Sequence, residues 1–238
     1  MAMIHIITPV KDSIERTLKT VEAVCRSGID EPHTYTVYND FSTEENTRLL
    51  EQASAEQGFA LVNMSEVTTH PSPNYRLVLQ MAQQAALEAG AVLVIVESDV
   101  IVAPDTIARM AERVRTAPKA GILAAVTVDE HGAINYPYLF AAGMQKGTFS
   151  VRKHLSFCCS ALSPALLQGF DFRQLDPTKS WFDVFISHKS LKLGLDNLLC
   201  TDLPVYHSPH GSRPHKLLKK TNPFRYYWQK LIHGRDKI

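Results

Sequence analysis

Several features that define common protein classes are scarce or missing in this sequence of 238 residues. Its four cysteines (Cys25, Cys158, Cys159 and Cys200) show no Cys-x-x-Cys spacing, so neither a disulfide framework nor a cysteine-based zinc site is expected. No segment approaches the roughly 18 consecutive apolar residues of a membrane-spanning helix, and the first residues lack the charged start and apolar run of a signal peptide. We therefore expect reduced thiols in a cytoplasmic protein that is soluble or peripheral on the inner face of a membrane.

Glycine is missing from the turn where two enzyme classes would need it. The first apolar segment ends in Thr-Pro-Val-Lys-Asp at 8–12, whereas a dinucleotide-dependent dehydrogenase needs Gly-x-Gly-x-x-Gly at this turn. A sugar nucleotidyltransferase should show a glycine-rich basic phosphate loop near the N-terminus, so it remains a minor alternative. The length and the 45% hydrophobic residues are enough for the buried core of one α/β domain.

Charge is distributed unevenly, although the net charge is only +1. Residues 213–238 carry eight Lys or Arg and one Asp, a net charge of +7, while the preceding residues carry 17 bases and 23 acids, a net charge of −6. The bases of this tail alternate with aromatic and aliphatic residues, a composition typical of segments that lie on an anionic membrane surface. A basic helix packed on the acidic body is the alternative, and Pro214 and Pro223 disfavour one continuous helix. Nucleic acid, a rival partner for basic and aromatic surfaces, is not expected.

Strands and helices alternate in the first half of the chain, a pattern typical of a parallel sheet with covering helices. Asp12 and Ser42 each stand three residues before a Glu, which predicts a capping box at the start of two of the helices. Right-handed crossovers place the loops after parallel strands at one edge of the sheet. We therefore expect four loops to converge there, at 8–11, 39–43, 63–74 and 97–104.

Two carboxylates follow the most apolar strand of the chain. Residues 92–99 read Val-Leu-Val-Ile-Val-Glu-Ser-Asp, so Glu97 and Asp99 are expected on the same side at the end of a buried strand. Burying an unpaired charge is costly, and ligands of open α/β sheets bind outside the carboxyl ends of the strands. This pair therefore predicts a site, although one acid capping the next helix and the other in solvent is the alternative.

The second half of the chain is less regular. A strand at 122–128 is followed by a stretch rich in Gly, Tyr and Pro, which we expect to form the side that receives an acceptor. A strand near 156–162, a helix at 181–194 and a closing strand at 198–206 are expected next. This last strand delivers His207 and His210 into a Ser-Pro-His-Gly-Ser loop.

Four segments follow one another in an informative order: Ile-Ile-Thr-Pro-Val-Lys-Asp at 6–12, Tyr-Asn-Asp-Phe-Ser-Thr-Glu-Glu-Asn at 38–46, Glu-Ser-Asp at 97–99 and Trp-Phe-Asp-Val at 181–184. Together they resemble the motifs of the family 2 inverting glycosyltransferases, which have the GT-A fold and use nucleotide-sugar donors. The resemblance implies a GT-A domain over 1–212, with a nucleotide-binding half at about 1–120 and an acceptor and catalytic half at 121–212. The basic aromatic tail, 213–238, follows it.

The resemblance also implies roles in binding the donor. The backbone of the first segment would border the nucleotide base, and Asp40 would accept a hydrogen bond from the base. Arg76 would pair with phosphate, or alternatively form a surface salt bridge. The residues implied at the donor are Thr8, Pro9, Val10, Asn39, Asp40, Arg76, Glu97 and Ser98.

Metal binding and catalysis are implied for three further residues. Asp99 would bind the divalent metal, Mn²⁺ or Mg²⁺, that bridges the donor diphosphate. His207 would be a further ligand, with His210 as the alternative. Asp183 matches the catalytic base, which deprotonates the acceptor hydroxyl, although a role as helix cap is also open. The sequence departs from the family at two positions. Glu97 stands where the first Asp of the Asp-x-Asp motif is usual, and Phe182 stands where the family usually has an acid.

The resemblance implies a glycosyltransferase that moves a sugar, with a UDP-sugar donor favoured, to a glycan or glycolipid acceptor. Assembly of a surface polysaccharide or lipopolysaccharide is the expected setting. The main alternative is a catalytically silent relative that acts as a binding or assembly subunit at the membrane.

Overall fold

The computed structural model describes residues 3–208, Phe224 and Trp228. Its contacts divide the chain into two units, Met1–His207 and Ser208–Ile238. In the second unit, the side chains of Phe224 and Trp228 are exposed and their rings stack with centroids 6.4 Å apart. The first unit has helices on both faces of one sheet, as the α/β prediction requires.

The elements follow the predicted alternation closely. The first half comprises β1 (Met3–Val10), α1 (Ile14–Cys25), β2 (His33–Asn39), α2 (Glu44–Gln57), β3 (Ala60–Asn63), α3 (Met64–Val67), α4 (Tyr75–Glu88), β4 (Ala91–Val96), β5 (Val100–Ile101) and α5 (Thr106–Thr116). The second half comprises β6 (Ala120–Val128), β7 (Thr148–Ser150), β8 (Cys159–Leu162), α6 (Pro164–Gly169), α7 (Phe182–Lys192) and β9 (Asp196–His207), with 3-10 turns at Leu139–Ala141 and Phe172–Gln174.

The described strands form one sheet in the order β3-β2-β1-β4-β8-β6-β9-β5, and β7 pairs with β9. Strands β3, β2, β1 and β4 are parallel, and β8 is antiparallel to both of its neighbours, β4 and β6. Strand β6 therefore runs in the direction of β4, and β9 is parallel to β6. Six of these nine strands share one direction, which confirms the mostly parallel sheet.

Strand β4 lies in the middle of the core because all six of its side chains are buried and apolar. Side chains alternate between the two faces of a strand. Val92, Val94 and Val96 accordingly pack in the cluster that contains residues of α1 and α5. Leu93 and Ile95 pack in the cluster that contains residues of α4, α6 and α7. Burial on both faces holds the end of β4, and the acids that follow it, at a defined place on the sheet.

The predicted capping box at Asp12 is wrong. Helix α1 has Ser13 as its N-cap residue without a side-chain cap, because Asp12 and Ser13 both have positive φ and the Asp12 carboxylate turns away from α1. It accepts hydrogen bonds from the Thr43 backbone N–H (3.0 Å) and from the Asn46 side chain (3.2 Å) at the start of α2. Helix α2 is capped by Thr43, one residue later than predicted.

Three of the predicted loops do converge. The backbone N–H of Asp12 donates to Ser42 Oγ (2.9 Å), which joins the loops after β1 and β2. The carboxylate of Asp40 accepts from Ser72 and Asn74, which joins the loop after β2 to the segment before α4. These bonds hold together the loops that follow β1, β2 and β3 at the carboxyl edge of the sheet.

Candidate functional site

The site is built where β4 ends. After Val96 the chain turns, with the Glu97 N–H donating to the Cys158 carbonyl (2.8 Å) and the Val100 N–H donating to the Glu97 carbonyl (3.1 Å). The following strand, β5, pairs antiparallel with the end of β9, so that Val100 lies opposite His207. This pairing brings Asp99 beside His207, although 108 residues separate them in the sequence.

The His207 imidazole is held with one nitrogen available to a ligand. Its Nδ1 lies 2.8 Å from the carbonyl oxygen of Tyr136, and because a carbonyl only accepts, Nδ1 carries the proton. In the neutral imidazole, Nε2 is then the nitrogen with a lone pair; it lies 3.7 Å from Asp99 Oδ2, with the two side chains 0% and 3% exposed. A backbone carbonyl that fixes the tautomer of a histidine in this way is the usual outer partner of a metal ligand.

Glu97 and Cys158 complete this cluster. The Cys158 thiol donates to Glu97 Oε2 (3.4 Å), and Sγ lies 4.0 Å from His207 Nε2. One ligand atom each from Glu97, Cys158 and His207 lie within 4.8 Å of one another. Burial, and next the charge of Glu97, raise the pKa of the Cys158 thiol well above its usual value. Carboxylates and an unprotonated imidazole nitrogen fit a divalent metal such as Mn²⁺, so the residues present suit the metal that the resemblance implies.

Asp183 lies in the first turn of α7, where its carboxylate accepts from the Val184 N–H (2.9 Å). The N-cap residue of α7 is Trp181, so the alternative that Asp183 is the N-cap is wrong. The preceding side chain, Phe182, packs against Tyr75 with ring centroids 6.2 Å apart. Asp183 therefore stands in the first turn of α7, next to a side chain that packs against the aromatic ring of Tyr75.

Tyr75 connects Asp183 with the cluster after β4. Among the described residues, its buried hydroxyl has no hydrogen-bond partner. Burial, and then the charges of Glu97 and Asp183, raise the pKa of this hydroxyl well above its usual value. Tyr138 is affected similarly, since burial, and then the charges of Cys158 and Asp183 among others, raise the pKa of its hydroxyl. The two tyrosines thus lie within electrostatic reach of Asp183 and of the cluster after β4, and the catalytic role of Asp183 stays a prediction.

Asn39 and Asp40 are buried and engaged in holding the loops. Asp40 accepts from Ser72 Oγ (2.7 Å), from the Asn74 N–H (2.8 Å) and from Asn74 Nδ2 (2.8 Å). The Asn39 amide donates to Thr47 and Asn63 at 2.9 Å each. A carboxylate has about four acceptor positions, so three of those of Asp40 are used within the protein. Contact of Asp40 with a nucleotide base stays a prediction.

The other residues predicted at the donor are distributed around this edge. Thr8 is buried and its hydroxyl bonds to that of Tyr35 (2.9 Å), and Val10 is also buried, so these two residues can border a ligand only through their backbone. Arg76 donates to the carbonyl of Leu175 (3.3 Å). Pro9 lies between Thr8 and Val10 at the end of β1, and Ser98 stands at the turn between Glu97 and Asp99. Their contacts with a donor stay predictions, and His210 lies outside the described residues.

Sequence reasoning missed Cys158, Tyr75 and Tyr136. The spacing of the cysteines argued only against sites made of several cysteines. Cys158 lies instead beside Glu97 and His207, which come from distant parts of the sequence. Tyr75 carried a weak signal, since it opens the helix that precedes the acidic strand. Tyr136 acts through its backbone carbonyl, which no residue pattern reveals.

Comparison with known proteins now decides the family. A family model described as glycosyl transferase family 2 matches residues 5–168. The chain belongs to this family. Glu97, Asp99 and Cys158 lie within the matched segment, whereas Asp183 and His207 lie beyond it. No curated protein sequence matches the chain.

Solved structures resemble the chain in fold. GalNAc-T7 in complex with UDP, GalNAc and Mn²⁺ shares 13% identity with a TM-score of 0.64, over 86% of this chain and 43% of that one. The mannosyltransferase PcManGT of Pyrobaculum calidifontis, in complex with GDP-Man and Mn²⁺, shares 15% identity with a TM-score of 0.62, over 97% and 64%. TarS residues 1–349 of S. aureus share 16% identity with a TM-score of 0.59, over 87% and 60%. The chain thus has the GT-A fold and spans 43–64% of the length of these neighbours.

Two features bear on the predicted membrane contact. Within the described part of the chain, every helix is too short or too polar to cross a bilayer. The basic tail, apart from Phe224 and Trp228, lies outside the described residues, so its binding to an anionic membrane surface stays a prediction.

Proposed function

We propose that this chain is an inverting glycosyltransferase that moves a sugar from a nucleotide-diphosphate sugar, with a UDP-sugar favoured, to an acceptor hydroxyl. The observation that carries the proposal is the placement of Asp99 Oδ2 3.7 Å from His207 Nε2 at the carboxyl edge of the sheet. Both side chains are buried, and the tautomer of His207 is set by the Tyr136 carbonyl. A buried carboxylate and the lone-pair nitrogen of a neutral imidazole are two ligands that can bind the same divalent cation.

Asp99 and His207 would hold Mn²⁺ or Mg²⁺. When bound, the cation supplies positive charge that offsets the charge developing on the leaving nucleoside diphosphate. Two structural neighbours support this choice, because they are described with Mn²⁺ together with UDP or GDP-Man. Backbone groups of residues 8–10, together with Asp40, Arg76, Glu97 and Ser98, would border the donor.

Asp183 would act as the general base. It removes the proton of the acceptor hydroxyl, whose oxygen forms a bond to the anomeric carbon while the bond from that carbon to the diphosphate breaks. The electron pair leaves with the diphosphate, and attack on the opposite face inverts the anomeric centre. The packing of Phe182, the chain neighbour of Asp183, against Tyr75 supports this role, because apolar surface beside a base excludes water and so favours transfer over hydrolysis.

The acceptor would enter beside the loop between β6 and β7. Tyr136, Leu139 and Phe140 of this loop are exposed. Aromatic faces beside polar groups are typical of surfaces that bind sugars, which present both apolar and hydroxyl faces. We propose a glycan or glycolipid acceptor in the assembly of a surface polysaccharide or lipopolysaccharide.

Calorimetric titration with UDP, GDP and dTDP, each with Mn²⁺ and with a chelator, identifies the nucleotide. Turnover of the corresponding sugar donors is then compared in Asp183→Asn, Asp99→Asn and wild type. We expect Asp183→Asn to lose at least 100-fold in turnover, since general acid–base catalysis contributes about 10²–10⁴-fold, with nucleotide affinity nearly unchanged. Asp99→Asn should lose both metal-dependent nucleotide binding and turnover.

Asp105→Asn is the matched control, because Asp105 also stands at the start of a helix but is exposed and paired with Arg109. Its turnover should equal that of the wild type. Full turnover in Asp183→Asn would overturn the assignment of the base. Metal-dependent nucleotide binding without turnover of any donor in the wild-type protein would instead favour the silent binding subunit, for which Phe182 in place of an acid is the supporting observation.

A further inference from the structure

The thiol of Cys158 is placed by two strands of the core. Cys158 directly precedes β8, whose first residue, Cys159, lies opposite Val96 of β4. The backbone of Cys158 accepts from the Glu97 N–H (2.8 Å), so the two residues are held side by side. The neighbouring thiol, Cys159, has a different environment, with Sγ 3.6 Å from Met110 Sδ in the apolar core.

The donor atoms around Cys158 follow one another at distances of 3.4–4.0 Å. Glu97 Oε2 lies 3.4 Å from Cys158 Sγ, and Sγ lies 4.0 Å from His207 Nε2. His207 Nε2 in turn lies 3.7 Å from Asp99 Oδ2. With metal–ligand bonds of about 2.0–2.3 Å, neighbouring donors of a tetrahedral site are about 3.3–3.8 Å apart. Glu97, Cys158 and His207, whose ligand atoms all lie within 4.8 Å of one another, can therefore surround one cation after moving closer together. Asp99 adjoins this group through its distance of 3.7 Å to His207.

We propose that Cys158 is a ligand of the metal in this site, so that the glycosyltransferase binds its cation through a sulfur as well as through carboxylate and imidazole. The proposal rests on the metal site of the proposed function, which it extends by one ligand of a different chemical class. Metal binding replaces the thiol proton, which passes to the solvent.

This ligand set gives a definite metal preference. Thiolate is a soft ligand, whereas Mg²⁺ prefers oxygen ligands and keeps several waters. Affinity for nitrogen and sulfur sites rises from Mn²⁺ through Co²⁺ to Zn²⁺. We therefore expect Zn²⁺ and Co²⁺ to bind more tightly than Mn²⁺, and Mg²⁺ to bind most weakly.

Co²⁺ tests the sulfur bond directly, because a thiolate bound to Co²⁺ gives a charge-transfer absorption in the near ultraviolet that oxygen and nitrogen ligands do not give. The full chain, freed of metal by a chelator, is titrated with Co²⁺ by absorption and with Zn²⁺ and Mg²⁺ by calorimetry. Wild type is compared with Cys158→Ser and with Cys159→Ser, whose sulfur lies outside the cluster. Thermal unfolding checks that each variant is folded, and Cys158→Ala replaces Cys158→Ser if the latter is not.

We expect the absorption in wild type and in Cys159→Ser and its loss in Cys158→Ser. Zn²⁺ affinity should fall at least tenfold in Cys158→Ser, since even residues behind the ligands contribute about 10–100-fold, while Mg²⁺ affinity changes little. Co²⁺ binding to wild type without this absorption would overturn the role of Cys158 and leave the Asp99–His207 site standing. No binding of any metal, with or without UDP, would overturn both.

Discussion

Tyr75 and Tyr138 allow a test in which two similar substitutions should change stability in opposite directions. Both hydroxyls are buried, and burial raises the pKa of each. The Tyr138 hydroxyl donates to the Ser156 carbonyl (3.1 Å) and accepts from the Ser156 N–H (3.0 Å). The Tyr75 hydroxyl has no partner among the described residues. Removing the Tyr138 hydroxyl breaks two hydrogen bonds, whereas removing the Tyr75 hydroxyl removes a buried polar group that has no partner among the described residues.

The magnitudes follow from the cost of burying polar groups. An unsatisfied buried hydroxyl costs roughly 1–3 kcal/mol, so Tyr75→Phe should raise the free energy of unfolding of the ligand-free protein by about 1 kcal/mol or more. For a domain of 150–250 residues this corresponds to a rise in Tm of about 2–4 °C per kcal/mol. Tyr138→Phe leaves the Ser156 N–H unsatisfied and should lower the free energy of unfolding by about 1–3 kcal/mol.

Activity should not follow stability at Tyr75. Its hydroxyl lies within electrostatic reach of Glu97 and Asp183, so we expect it to bond to the donor or to the acceptor during turnover. Losing a hydrogen bond to a charged group, worth roughly 1.5 kcal/mol or more, lowers turnover about tenfold. Higher stability with lower activity is the signature of a group retained for function.

The assays are thermal unfolding of the ligand-free protein and initial rates with the donor identified by calorimetry. A lower Tm for Tyr75→Phe than for wild type would refute the reasoning, because the hydroxyl would then be satisfied in solution. A higher Tm with unchanged turnover would keep the stability argument and remove Tyr75 from the catalytic site.

Two further predictions concern the fold. A Cβ at Gly121 would overlap Ser190 Oγ. Gly121→Ala should therefore lower the free energy of unfolding, measured in urea, by about 1–3 kcal/mol. Gly28→Ala is the control because a Cβ has room there, and an equal or smaller loss in Gly121→Ala would contradict the prediction. Arg113 lowers the pKa of Asp202 through two hydrogen bonds of 2.7 Å. Ionised Asp202 therefore stabilises the fold fully at pH values above the pKa that this carboxyl has in the unfolded chain. The contribution is lost as the pH falls through the lower pKa of the folded state. Asp202→Asn should therefore cost about 1 kcal/mol at pH 7 after allowing for partial exposure, and the difference from wild type should shrink below about pH 4; a difference that stays constant down to pH 3 would count against the ion pair as its source.

Local patterns were sufficient for most of the fold. The apolar run of β4, the glycines that end helices and the periodicity of α4 predicted these elements to within a few residues. The capping boxes failed at Asp12 because a carboxylate can serve a neighbouring helix as well as its own. Positive φ at Asp12 and Ser13, which turns that carboxylate away, depends on the loop packing and has no sequence pattern of its own.

The sequence by itself determined that two acids follow a buried strand, that the sheet is mostly parallel and that the chain resembles one family of glycosyltransferases. These conclusions depend on periodicity and on short motifs, which act within a few residues. Only the tertiary structure decided which distant groups meet. Cys158 lies 61 residues from Glu97 and 49 from His207. The Tyr75 hydroxyl, which has no partner among the described residues, lies within electrostatic reach of Glu97 and Asp183. Such encounters are set by the registers of β8 on β4 and of β5 on β9, and those registers follow from packing the whole core.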